Sequence, residues 1–230
     1  MARTVGIRTT LLLGVAGAVL GVGTFAGSSG GATSSVSATE PASLAHAQTI
    51  RGQIDARYRA LGGNALAVTE ASSTRVVESF ALMTPDLIAR RFIPAANGIW
   101  YAICPVGATC PYPAHRSARP ADALGPRRLA LELALRTFLE TSATVVAVSL
   151  PTSRFMAFVV EREELAREVD VRALARALGG DPGRALSPTL ERVVDRVTRP
   201  RVFLSMGLEP TPSGRETWAG IPRWPTVRSD

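Results

Sequence analysis

Three successive segments in the middle of the chain leave almost no surface for water, and they restrict the fold more than any other feature. "RRLALELALRTFLET" (127–141) follows Gly125-Pro126, with the proline placed for a first helical turn, where its missing N–H is not needed. Arg128, Glu132, Arg136 and Glu140 fall four residues apart as one alternating charged stripe, while Leu129, Leu131, Leu133, Leu135, Phe138 and Leu139 cover the rest. Such a helix is wet on a narrow side only. "TVVAVSL" (144–150) and "RFMAFVVE" (154–161), joined by "PTS", are apolar runs that read as a buried hairpin against which the helix packs.

Other elements follow from period and punctuation. "LAHAQTIRGQIDARYRAL" (44–61) puts Ile50, Ile54, Tyr58 and Leu61 on one helical face and stops at Gly62-Gly63. "NALAVTE" and "TRVVESFALMTP" are short β-compatible runs separated by "ASS", and "GIWYAIC" is a strong strand running into Cys104. Proline and small residues from 105 to 121 mark a surface loop. Asp170 is placed to cap "VRALARAL", which ends at Gly179-Gly180, and Ser187-Pro188 opens "TLERVVDRV". "RVFLSMGLE" is a candidate last strand. Without strict βα alternation, the order implies an α+β fold: one compact domain with an antiparallel or mixed sheet and helices largely on one face.

The N-terminus points outward from the cell. Arg3 and Arg8 precede an apolar run at Leu11 to Ala26, and no further charge appears before Glu40. That is the order of an export signal, and it places the remainder outside the cytoplasm. The apolar core, about 16 residues, falls between a cleaved signal and a retained span, so both remain open. Gly17 to Gly21 and Gly23 to Gly27 have the small-xxx-small spacing of close helix pairs. The expected organisation is a signal or anchor over 1–27, a Ser/Gly/Ala tether over 28–47, the globular domain over 48–209 and a Pro/Trp tail over 210–230.

Charge excludes more than it suggests. The net charge is +7, yet all 26 basic residues are arginine, and they are spread among acids, as in "EREELAREVDVRALARAL". No single basic stripe forms, which together with export argues against nucleic acid. Weak attraction to anionic lipid or wall polymer is all the excess charge implies.

No motif identifies a reaction. The two cysteines, Cys104 and Cys110, lie in "ICPVGATCP" with five residues between them. Outside the cytoplasm the simplest reading is a disulfide staple across a short turn, because the spacing is not the C-x-x-C of redox pairs. His115 completes a potential three-ligand set with them, but no fourth zinc ligand is near, and His46 is remote in sequence. Nucleophilic catalysis finds no G-x-S-x-G, and without lysine no Ser-x-x-Lys base. Ser205 sits inside a candidate strand, and Glu161, Glu163 and Glu164 read as a solvated strand end rather than an acid/base set. Trp100-Tyr101 and the tail residues Trp218, Ile221 and Trp224 offer either packing or a ligand or glycan platform.

The expectation is a non-enzymatic exported module, membrane-tethered through residues 11–27 or secreted. It binds an envelope or protein partner, carries no cofactor or metal, and has a monomeric soluble domain. The competing expectation is a secreted hydrolase with its site on the 105–121 loop around His115.

Overall fold

The computed structural model describes residues 40–62, 65–106, 124–151 and 156–224. In chain order it contains α1 (Glu40–Arg59), β1 (Leu66–Ser73), β2 (Ser79–Met83), β3 (Arg90–Pro94), β4 (Gly98–Pro105), α2 (Leu124–Glu140), β5 (Val145–Leu150), β6 (Met156–Glu161), α3 (Arg162–Glu168), α4 (Val171–Leu178), α5 (Pro188–Thr198), β7 (Val202–Pro210) and β8 (Glu216–Pro222). The fold is α+β, and the strands form one eight-stranded mixed sheet in the order β1-β4-β5-β6-β7-β8-β2-β3. β4 pairs with β5 and β8 with β2 in parallel, while the other neighbours are antiparallel. The parallel step from β4 to β5 needs a crossover, and α2 lies on it.

β5 and β6 are apolar on both faces because both faces are covered. Val146, Val148, Phe158 and Val160 join Ile99, Tyr101 and Ile103 in one core with the apolar residues of all five helices, among them Ile50, Leu133, Leu165, Leu178 and Val197. The alternate residues Val145, Ala147, Ala157 and Val159 belong to a second core, whose other members lie on strands and the turns between them: Phe80, Leu82, Ile93, Phe203 and Trp218 among others. The sheet covers this face with its own end. β2 is five positions from β4, about 24 Å across a flat sheet, yet the rings of Phe80 and Trp100 stack with centroids 5.9 Å apart at 19°. Curling is the only way to meet that distance, and Arg91 of β3 likewise reaches Glu161 at the end of β6, 3.2 Å away.

Several expectations change. α1 begins at Glu40, inside the 28–47 tether, and its N-terminal part is anchored by Ser43 to Ser142 at 3.0 Å and His46 to Glu140 at 3.2 Å. β1 runs through "ASS" because its pairing with β4 resumes after a bulge between Val68 and Glu70. β8 occupies part of the expected 210–230 tail, buried because β7 and β2 flank it. "EREEL" turns into α3 instead of ending a strand in water. There Glu164 meets Arg91 at 2.9 Å and Arg201 at 3.0 Å, and acids favour a first helical turn.

The α2 stripe is wet only in its second half, where Arg136 is half-buried and Glu140 exposed. Glu132 is fully buried and takes hydrogen bonds from Arg57 and from the Tyr58 hydroxyl, the latter at 3.1 Å. Arg128, also buried, donates to the carbonyls of Pro182, Arg184 and Asp181 at 3.1–3.2 Å. Neighbouring backbone and side chains replace water there, as buried charges require. Among the described residues no helix is long and apolar enough to cross a membrane. Residues 11–27 lie outside them.

Candidate ligand cleft

Trp100 and Tyr101 are adjacent on β4 and point to opposite faces, as strand geometry demands. Tyr101 enters the helical core, where its hydroxyl meets Thr137 Oγ1 at 2.8 Å. Burial pushes its phenol up to about 12, and the hydrogen bond it shares with Thr137 works the other way. Trp100 faces the concave side of the curled sheet, and its indole N–H donates to Ser149 Oγ at 2.9 Å. Trp218 of β8 arrives edge-on, with centroids 6.2 Å apart at 71°, and Phe80 lies behind both.

These tryptophans line a cleft of about 470 Å³ together with Val77 and Leu208, the serines 72, 73 and 205, Gly207, and the carboxylates Glu70 and Glu216. β1 and β4 make one side, β7 and β8 the other. The β7 side is shaped by a bulge between Ser205 and Gly207, where Gly207 takes a φ of +123° and donates its N–H to Ser205 Oγ at 3.2 Å. A side chain at that φ would be strained. The β7–β8 turn is tied to the start of β2 by Glu78, which accepts from Ser213 at 2.5 Å and Thr211 at 2.7 Å. Those hydroxyls, Ser213 foremost, hold its exposed carboxyl below the usual range.

The lining combines an apolar floor, three serine hydroxyls and two exposed carboxylates, and among the described residues no basic side chain belongs to it. Such a surface suits an apolar body that is neutral or positively charged. Two indoles at its base add the face and edge contacts that hold aromatic groups and cations.

Of the residues singled out in the sequence, Trp100, Trp218 and Ser205 come together here. Trp224 does not: it lies among Arg127, Arg199 and Arg223, whose guanidiniums are 5.6–5.7 Å from its ring centre. Ile221 is half-buried opposite Leu204 on β7. Glu161 and Glu164 are held in ion pairs with Arg91, and Glu163 is exposed. Cys104 is buried at the end of β4 with its Sγ 3.7 Å from Thr69 Oγ1. Cys110, His115 and residues 107–121 of the proline-rich loop lie outside the described residues. Among those described, no three His, Cys, Asp or Glu side chains gather as metal ligands. Glu70, Ser72 and Ser73 were not singled out, although exposure along the second half of β1 against its buried first half marks them as a strand leaving the core.

No family model, curated protein or solved structure matches the chain.

Proposed function

We propose that the chain is an exported, non-enzymatic binding module whose cleft takes an apolar, neutral or positively charged segment of an envelope or protein partner. The observation that carries this reading is the meeting of Trp100 and Trp218 at the base of a cleft with two carboxylates and, among the described residues, no basic lining residue. The N-terminal order of arginines, apolar run and small residues supports export. The same compartment favours a Cys104–Cys110 staple at the end of β4, beside the proline-rich loop.

The test exploits a conflict between local and global charge. At net +7 the whole chain attracts anions, whereas the cleft favours cations. Tryptophan fluorescence of the full chain is titrated with two short peptides of one aromatic sequence, flanked by arginines in one and aspartates in the other. The arginine peptide should give a saturable change that the Glu70→Gln/Glu216→Gln variant weakens, while the aspartate peptide gives none. Preference for the aspartate peptide, or no saturable change with either, would refute the reading.

A further inference from the structure

A second cavity, of about 510 Å³, opens on the helical side between α1, α2 and α4. Among the described residues, four guanidiniums line it, those of Arg57, Arg136, Arg172 and Arg176, against two carboxylates, Glu132 and Glu140. Both carboxylates are already engaged. Glu132 is buried against Arg57 and Tyr58, and Glu140 is held by Arg136 at 2.7 Å and by His46 at 3.2 Å. Burial of Glu140 opposes its ionisation, but the hydrogen bond and charge of Arg136, helped by His46, hold its carboxyl below the usual value.

Two of the arginines are fixed in place. Arg57 donates to the Gly179 and Gly180 carbonyls at 2.5 and 3.2 Å, and Arg136 donates to Gln53 at 2.7 Å. The other two stand one turn apart on α4, exposed, with no carboxylate partner among the described residues; the only bond either side chain makes there is a long one from Arg176 to the Arg172 carbonyl, 3.4 Å. Like charges at that spacing repel. Burial lowers the pKa of Arg57, the charge of Tyr58 opposes that shift, and the neighbouring positive charges of Arg136 and Arg128 add to it. Four positive groups against two negative leave an excess of two.

We infer that this cavity binds a dianionic phosphoryl group, either free phosphate or a phosphate monoester, clamped between Arg172 and Arg176 on one side and Arg57 and Arg136 on the other. Guanidinium forks match the oxygens of such a group, and two negative charges balance the excess. A phosphodiester, with a single charge, satisfies only half of it. This inference is independent of the tryptophan cleft on the concave face.

The test is thermal unfolding of the full chain with inorganic phosphate, glycerol phosphate or diethyl phosphate, each against sodium chloride of equal ionic strength. The first two should raise the midpoint saturably. The Arg172→Gln/Arg176→Gln variant, which removes exposed side chains only, should need at least about tenfold more ligand for the same rise, equivalent to about 1.4 kcal/mol or more of lost binding. A stronger effect of glycerol phosphate than of phosphate would assign the group to an ester, and the reverse to the free ion; either supports the inference. No rise beyond chloride, an equal rise in the variant, or preference for the diester would overturn it.

Discussion

Adjacent residues on β4 divide between the two faces of the sheet, and their surroundings give them different chemistry. Trp100 lines the cleft while Tyr101 is sealed under α2. The aromatic pair is visible in the sequence, but only the strand's alternation decides which member can meet a ligand, and Trp218 joins it only because the sheet curls. Charge is harder to read from spacing than apolarity. Arg128 and Glu132 sit at regular helical intervals, and no interval says whether water or a partner helix faces them. Tyr101 provides a measurable consequence. Its phenol ionises near 10.0 when unfolded and near 12 when folded. The raised value favours the protonated form in the native state, so its contribution to stability is intact below pH 10 and is lost as pH rises toward 12. Tyr58 is shifted in the same direction, again mainly by burial. Of three tyrosines, two should therefore ionise late. Phenolate absorbance should show a lagging phase that coincides with loss of near-ultraviolet dichroism, and Tyr101→Phe should reduce that phase. A single titration of all three near the ordinary value would contradict the burial of both rings.

At the scale of elements, local chemistry is well written where a cap or period decides the outcome. Asp170 accepts from the Ala173 N–H at 2.9 Å and Ser187 from Leu190 at 3.2 Å, as their positions before "VRALARAL" and "TLERVVDRV" lead one to expect. β3 and β8 were not legible. β3 buries only Ile93, and β8 carries a glycine and a terminal proline, so neither has an alternating pattern; both owe their form to distant partners. The start of β4 depends on a contact of the same non-local kind. Thr74, in the turn after β1, donates to the Ala95 carbonyl at 2.5 Å and lies directly over Gly98. A β-carbon at Gly98 would stand 2.3 Å from Thr74 Oγ1 and 2.6 Å from Val145 Cγ1. Gly98→Ala should lower stability by about 1–3 kcal/mol in denaturant unfolding. Gly52→Ala supplies the opposite sign: nothing lies within 4 Å of that β-carbon on the exposed side of α1, and replacing a helical glycine should raise stability by roughly 0.5–1 kcal/mol. Equal responses at the two sites would show that the packing at Gly98 is not what sets the cost.

Across the whole molecule the curl of the sheet governs everything on the concave face, and it cannot be read from any segment alone. Its cause is mutual: β5 and β6 need cover on both sides, five helices cover one, and the β8-β2-β3 end of the sheet is the remaining apolar surface. The helical side sets where the folding unit begins. The composition of 28–47 reads as a tether, since alanine and serine carry little apolar weight, yet Ala47 is fully buried and Leu44 packs on the same core. Ser43 and His46 bond across to Ser142 and Glu140. These contacts separate two truncations that the sequence treats alike. Removing residues 1–39 should leave the unfolding midpoint and slope of the domain unchanged, because every packing contact of α1 described here is kept. Removing 1–47 deletes the Leu44 and Ala47 contacts and exposes the α2 end they cover, a loss of roughly 2–3 kcal/mol from apolar area alone. The denaturant slope should stay the same after the shorter cut and fall only slightly after the longer one, since it follows the surface exposed on unfolding and the rest of the fold still unfolds as one unit. Equal destabilisation by the two cuts would mean that residues before Glu40 contribute to the core, and no destabilisation by the longer cut would mean that the first two turns of α1 do not.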